Sequence, residues 1–140
     1  MKNLRSVLLA LTVLSLATAA QAQTTNVKAS IPFDFVVGNH AYPAGEYTVK
    51  SMGESGVAIR IDNADESEKG ITLSDVCSSG RPATGTKLVF QRLGNNYFLY
   101  QIWTEGSSLG REFPKSKTQV QLAKNDSNPE LVIVAANISH

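Results

Sequence analysis

Apolar and polar residues alternate with a period of two along most of the chain after residue 30. Ile31, Phe33, Phe35 and Val37 are spaced by Pro32, Asp34 and Val36; Tyr47 and Val49 by Glu46, Thr48 and Lys50; Val57, Ile59 and Ile61 by Ala58, Arg60 and Asp62. Side chains on a strand point alternately to its two faces, so each set predicts a half-buried strand. Phe33, Phe35, Val57, Ile59, Ile61, Leu99 and Trp103 are the expected core. Pro32 has no N–H, which places the first strand at an edge or starts it near Pro32. Gly38-Asn39-His40 and Pro43-Ala44-Gly45 read as turns. A charged loop, Asn63 to Gly70, leads to a strand over Ile71 to Cys77, and Ser78 to Thr86 reads as a loop.

Leu88 to Leu93 and Tyr97 to Thr104 flank Gly94-Asn95, a two-residue hairpin signal. Tyr97 to Trp103 is apolar on both faces, with Leu99 and Trp103 on one and Phe98, Tyr100 and Ile102 on the other. That pattern predicts a central or covered strand. Lys115 to Lys124 reads as a short helix with Pro114 at its first position, although Thr118, Val120 and Leu122 also alternate. Leu131 to Ala136 reads as a fully apolar closing strand, and the residues just after Gln23 as a disordered tail. The fold class expected is all-β: a single-domain β-barrel or β-sandwich of seven or eight antiparallel strands with one short helix near the C-terminus.

The first 22 residues follow another pattern. Lys2 and Arg5 precede a short apolar run, Val7 to Leu16, and Ala20-Gln21-Ala22 is a small-x-small cleavage site. This is the pattern of a secretory signal peptide cut before Gln23, with 23–140 as one β-rich domain. The run is shorter than the ~20 residues of a membrane span. No Cys follows the cleavage site, which argues against a lipid anchor. Location in the periplasm or outside the cell follows. Cleavage removes two positive charges from a formal net +1 and leaves −1. That balance offers no electrostatic case for nucleic acid or an anionic membrane.

Ile31-Pro32-Phe33-Asp34-Phe35 with Val37-Gly38, then Pro43-Ala44-Gly45-Glu46-Tyr47, and later Trp103-Thr104, Gly110-Arg111-Glu112 and Pro114-Lys115-Ser116, resemble a family of small exported bacterial proteins of unknown function. The resemblance implies export and one domain over nearly all of the mature chain, and no chemistry. It reads Gly38 and Gly45 as bends and Phe33 and Phe35 as core.

Candidate chemistry is sparse. Cys77 is the single cysteine, so no internal disulfide forms and a buried, inert thiol is expected. Gly106-Ser107-Ser108-Leu109-Gly110 matches the G-x-S-x-G nucleophile elbow, and Asp126 and His140 follow in hydrolase order. An elbow requires a helix directly after its Ser, whereas Arg111-Glu112-Phe113-Pro114 follows here. Asp62-Asn63-Ala64-Asp65-Glu66-Ser67-Glu68 is rich in hard oxygen ligands, but lacks the central Gly and distal Glu of a calcium loop. Asp34 with Glu46, and Glu105 with Glu112, are candidate carboxylate pairs that read as solvent-facing charges. The best ligand-pocket candidates are Tyr97, Tyr100 and Trp103, with Arg111 as a carboxylate binder.

No catalytic, metal or cofactor residue is expected. The reading is a non-enzymatic structural or interaction module of the cell envelope. The alternatives are a binder of a small apolar ligand in a barrel cavity and, third, a hydrolase. A monomer is expected, because pairing of the first and last strands would close the sheet.

Overall fold

Alternation becomes strand nearly everywhere it occurs. The computed structural model describes residues 26–125 and 128–139. The proposed signal peptide, Asp126 and His140 lie outside them. The strands are β1 (Asn26–Ile31), β2 (Phe35–Val37), β3 (His40–Tyr42), β4 (Gly45–Met52), β5 (Ala58–Asn63), β6 (Lys69–Leu73), β7 (Asp75–Ser78), β8 (Lys87–Leu93), β9 (Asn96–Trp103), β10 (Leu109–Glu112), β11 (Glu130–Ala135) and β12 (Asn137–Ile138). Among the described residues one helix, α1 (Lys117–Asn125), precedes β11.

Two sheets form a sandwich rather than a closed barrel. The first runs β12-β1-β4-β5-β6 and the second β11-β8-β9-β10-β7. The β2–β3 hairpin joins the second through a parallel pairing of Val36 with Phe98 on β9. Ser74 alone separates β6 from β7, and Ala136 alone separates β11 from β12. Each pair is therefore one strand that bends from one sheet into the other, a way of making sandwich corners. With each bent pair counted once, the twelve strands become eight around the core plus β2 and β3.

The core lies between the sheets. Val27 and Ile31 of β1, Tyr47 and Val49 of β4, and Ile59 and Ile61 of β5 face Leu88 and Phe90 of β8 and Leu99 and Ile102 of β9. Phe35 sits at its centre, stacked on Tyr42 at 5.2 Å and edge-on to Tyr47 at 5.0 Å and Phe90 at 5.6 Å. Burial of each such side chain is worth about 1.5–3 kcal/mol, and each well-placed ring pair about 0.5–1.5 more.

Local chemistry sets the turns. Gly94, at φ +62°, is the first central residue of the β8–β9 hairpin, the glycine placement of a type II′ turn. Helix α1 starts on Ser116, whose Oγ accepts the Gln119 N–H at 3.1 Å, so Ser116 caps it and Pro114 lies outside. Gln119 is buried and its Nε2 donates to Gln91 Oε1 at 2.8 Å. Gln91 alternates with the core residues of β8, so α1 lies over the outer face of the second sheet.

Several expectations need correction. The strand expected over Ile31 to Val37 is broken. β1 ends at Ile31, and Pro32-Phe33-Asp34 carries the chain to the other sheet, where a missing N–H costs no ladder bond. Phe33 is consequently half-buried. Residues 26–30 are no tail: they pair with β4, and Val27 is fully buried. Val57 is 41% exposed, because it precedes β5 at the rim of the sandwich. A bulge between Val89 and Phe90 in the β8–β9 ladder leaves Tyr100 unpaired and shifts the phase of β9. Leu99 and Ile102 thus share the core, while Trp103 is buried on the opposite face. Leu131 to Ala136 is not buried on both faces. Val132 and Val134 pack on the core, Leu131 and Ile133 are exposed, and it is β12 that pairs with β1.

Candidate functional site

The structure separates the four pocket candidates. Tyr97 stacks on Phe33 with ring centroids 3.9 Å apart, and Arg92 lies 5.7 Å from its ring centre. Tyr100 stands at the bulge and hydrogen-bonds Glu112; burial and then that carboxylate push its phenol up. Trp103 shares the outer face of the second sheet with Gln101. Its Nε1 donates to Gln101 Oε1 at 3.1 Å, and Gln101 Nε2 donates to Glu112 Oε2 at 3.3 Å. Gly110 lies beneath the indole, where an added Cβ would come within 2.8 Å of the ring.

Arg111 pairs in the ladder with Ile102 and Val76, one position from Gly110, so it projects to the other face. Its Nη2 donates to the Ser55 carbonyl at 3.1 Å. Gly56, at φ +61°, leaves the room the guanidinium occupies, since a Cβ there would lie 2.7 Å from Nη2. Arg111 Nη1 is buried with no hydrogen-bond partner. The guanidinium therefore buttresses the turn between β4 and β5, and it does not share a site with Trp103.

The remaining motifs have local roles. Ser108 stands in the loop before β10, and a strand follows it where an elbow would need a helix. Asp65 Oδ1 accepts both the N–H of Ser67 at 3.1 Å and its hydroxyl at 2.7 Å, which hold its carboxyl below the usual range. Asp62 pairs with Arg60 at 2.8 Å, Glu66 with Lys69 at 3.1 Å, and Glu68 meets His40 at 3.3 Å. The acidic loop thus spends its carboxylates on its own folding. Among the described residues no group of three or more His, Cys, Asp or Glu could hold a metal ion. Asp34 Oδ1 accepts the Ala44 N–H at 2.9 Å and pins the turn before β4. Burial and then Glu112 push the Cys77 thiol up, which weakens it as a nucleophile.

Two surface features stand out. A groove of about 540 Å³ crosses the outer face of the first sheet, lined by Lys28, Ser30, Glu46, Thr48, Lys50 and Asp62 among others. Three carboxylates, Glu46, Asp62 and Glu66, face two lysines there, and Tyr47 is its one aromatic lining residue. The other feature is the corner at Ser74. Ile71 and Leu73 of β6 are 65% and 64% exposed, and Val76 and Leu109 on the second sheet are 59% and 56% exposed. Met52, Ala58 and Leu73 form one cross-strand row, so the apolar surface continues onto β5 and β4. An exposed apolar row of this kind marks a contact surface, and bare strand edges invite pairing.

Comparisons with protein-family models, curated proteins and solved structures give no match. Among the described residues no helix is long and apolar enough to cross a membrane.

Sequence reasoning placed Ile71 and Leu73 in a strand but not on its solvent side. No local signal sets its face: a Cβ added at Gly70 would run into the Tyr42 hydroxyl, so in the fold the Gly70-Thr72-Ser74 set faces inward and the apolar set outward. Alternation alone argues for the reverse.

Proposed function

We propose that this chain is an exported, non-enzymatic interaction module of the cell envelope, and that it works through the corner at Ser74. One observation carries the reading: two large aliphatic side chains, Ile71 and Leu73, stand in solvent on an edge strand. Exposed apolar area of this kind costs solubility, and a chain retains it where a partner covers it. Export is supported by Lys2, Arg5, the apolar run and Ala20-Gln21-Ala22. The interior is occupied by its own rings, Phe35, Tyr42, Tyr47 and Phe90, which favours a surface role over a ligand held between the sheets.

The test is a photoreactive residue at Leu73 in cells exporting the chain, with the same residue at exposed Lys28 as control. A discrete adduct from position 73 alone is expected. No adduct at 73, or the same adducts from both positions, would refute the reading. Terminal sequencing of the exported protein should begin at Gln23; a cytoplasmic protein that keeps Met1 would remove the export half.

A further inference from the structure

We propose that the groove on the outer face of the first sheet binds an extended peptide of about four residues with free ends, its ammonium at Glu46 and its carboxylate at Lys50. This is a second site: the groove lining includes none of Met52, Ala58, Ile71 and Leu73. The floor follows from register. Tyr47 and Val49 face the core, so Glu46, Thr48 and Lys50 face outward. Lys28 of β1 and Asp62 of β5 flank Thr48 on either side. With Tyr47 turned into the core, the groove offers charge and hydrogen bonds rather than a stacking face. Backbone bonds hold both walls. On one side the Ala64 N–H donates to the Glu46 carbonyl and the Asn63 N–H to the Glu68 carbonyl, each at 3.0 Å, which fixes the acidic loop. Asp62 faces outward yet is only 8% exposed, so the floor is recessed. On the other side Asn137 pairs with Lys28, and the Ala136 N–H donates to the Thr86 carbonyl at 3.0 Å. The concavity therefore exists before a ligand arrives, which spares part of the ordering cost of binding. Its volume of about 540 Å³ lies within the roughly 300–1,000 Å³ of small-ligand sites.

The charges in the groove sort into used and unused. Asp62 lies 2.8 Å from Arg60, and Glu66 lies 3.1 Å from Lys69. Glu46, Lys28 and Lys50 form no ion pair among the described residues. Along β4 this leaves an acid at Glu46, a hydroxyl at Thr48 and a base at Lys50. Four residues of strand carry Glu46 to Lys50, a span of about 13 Å. An extended chain of about four residues covers the same span, so the two ends of one peptide meet opposite charges. Midway, the Thr48 hydroxyl and the Lys28 ammonium are placed to donate to its carbonyl groups. A purely anionic ligand would leave Glu46 opposed to it, and a purely cationic one would meet Lys28 and Lys50; a chain with both charges answers the order in the groove. Both end contacts are open to water, so the affinity is modest.

A chemical-shift titration of the mature chain with tetra-alanine, carried to tens of millimolar, tests this. Saturable shifts are expected at the amides of Lys28, Glu46, Thr48 and Lys50, with none at Ile71 and Leu73. Acetylating the amine or amidating the carboxylate of the peptide should each weaken binding about threefold, the size of one exposed ion pair. Glu46→Gln should weaken the free peptide to the same extent and leave the acetylated peptide as it was. Lys50→Gln should do the same for the free and the amidated peptides. Both side chains are exposed, and near-ultraviolet circular dichroism checks that each variant is folded. An absence of shifts in the groove would overturn the proposal, as would equal binding by a peptide blocked at both ends. An acetylated peptide that binds as tightly as the free one would also overturn it and make the groove a site for anions. None of these outcomes bears on the adduct at Leu73, so the two surfaces stand or fall separately.

Discussion

The strands 130–138 and 69–78 bend from one sheet into the other about Ala136 and Ser74, and the two corners end differently. At the first, β12 pairs with β1, the Ser139 N–H donates to the Asn26 carbonyl at 2.8 Å, and β11 lies close to β1. At the second, β6 is held by β5 and β7 by β10, and the edge between them is bare. Both corners expose aliphatic side chains: Leu131 and Ile133 at 57% and 61%, Ile71 and Leu73 at 65% and 64%. Hydrophobicity therefore does not distinguish them. Extent does. Leu73 continues through Ala58 to exposed Met52 across three strands, whereas Leu131 and Ile133 adjoin Gln91 and Val89, which are buried.

The largest expected effect separates the corners by what they support. Ending the chain after Pro129 removes ladder partners from both β8 and β1, and should unfold the domain rather than loosen it. Loss of near-ultraviolet circular dichroism is the readout; a truncated protein with the parent melting temperature would show that this corner is not needed for closure.

At the other corner the sensitive point is Gly70. Gly70→Ala drives a methyl group into the Tyr42 hydroxyl and should cost about 1–3 kcal/mol in urea unfolding. Tyr42→Phe in the same chain removes the atom in the way and should recover part of that loss. Equal losses with and without the hydroxyl would locate the strain elsewhere.

Tyr42 also ties this region to pH. Burial first, then the nearby Tyr47 and Glu68, push its phenol to about 12. A raised native value means that the neutral phenol is favoured by folding. This stability is complete below the ordinary value of about 10 and is lost as pH rises through 12. Urea midpoints should fall across that window, and more shallowly in Tyr42→Phe. An identical slope in the variant would assign the effect to Tyr47, which burial also raises.

The smallest effect sharpens the comparison most. Ile71→Asp with Leu73→Asp should leave monomer stability within about 0.5 kcal/mol, because both side chains already stand in water. A large loss would mean that they support the fold rather than face a partner.

Much of the architecture was readable from alternation. The all-β class and the buried Phe35, Ile59, Ile61 and Leu99 follow from it, the β8–β9 hairpin follows from the Gly94-Asn95 pair, and the short helix was read against the alternation of Thr118, Val120 and Leu122. What was not readable depends on one-residue events. The bulge at Tyr100 reverses the phase of half a strand and sends Trp103 and Leu99 to opposite faces. Pro32 ends a strand instead of starting one. At Ser74 and Ala136 the chain changes sheets without a turn signal, so no Gly or Pro marks the corners. The pocket candidates Tyr97, Tyr100, Trp103 and Arg111 were aromatic or bidentate by type, but their side of the sheet is set by pairing, which local pattern does not record. The exposed β6 pair was hidden for a related reason. Ile71 and Leu73 look like core until the contact of Gly70 with Tyr42 shows which set faces inward.

Residue-resolved amide hydrogen exchange tests the central contrast most directly. The outward N–H groups of Lys69, Ile71 and Leu73 should exchange quickly, while the Ser139 N–H, bonded to the Asn26 carbonyl at the other corner, is protected. Exchange at β6 as slow as at Ser139 would contradict the account.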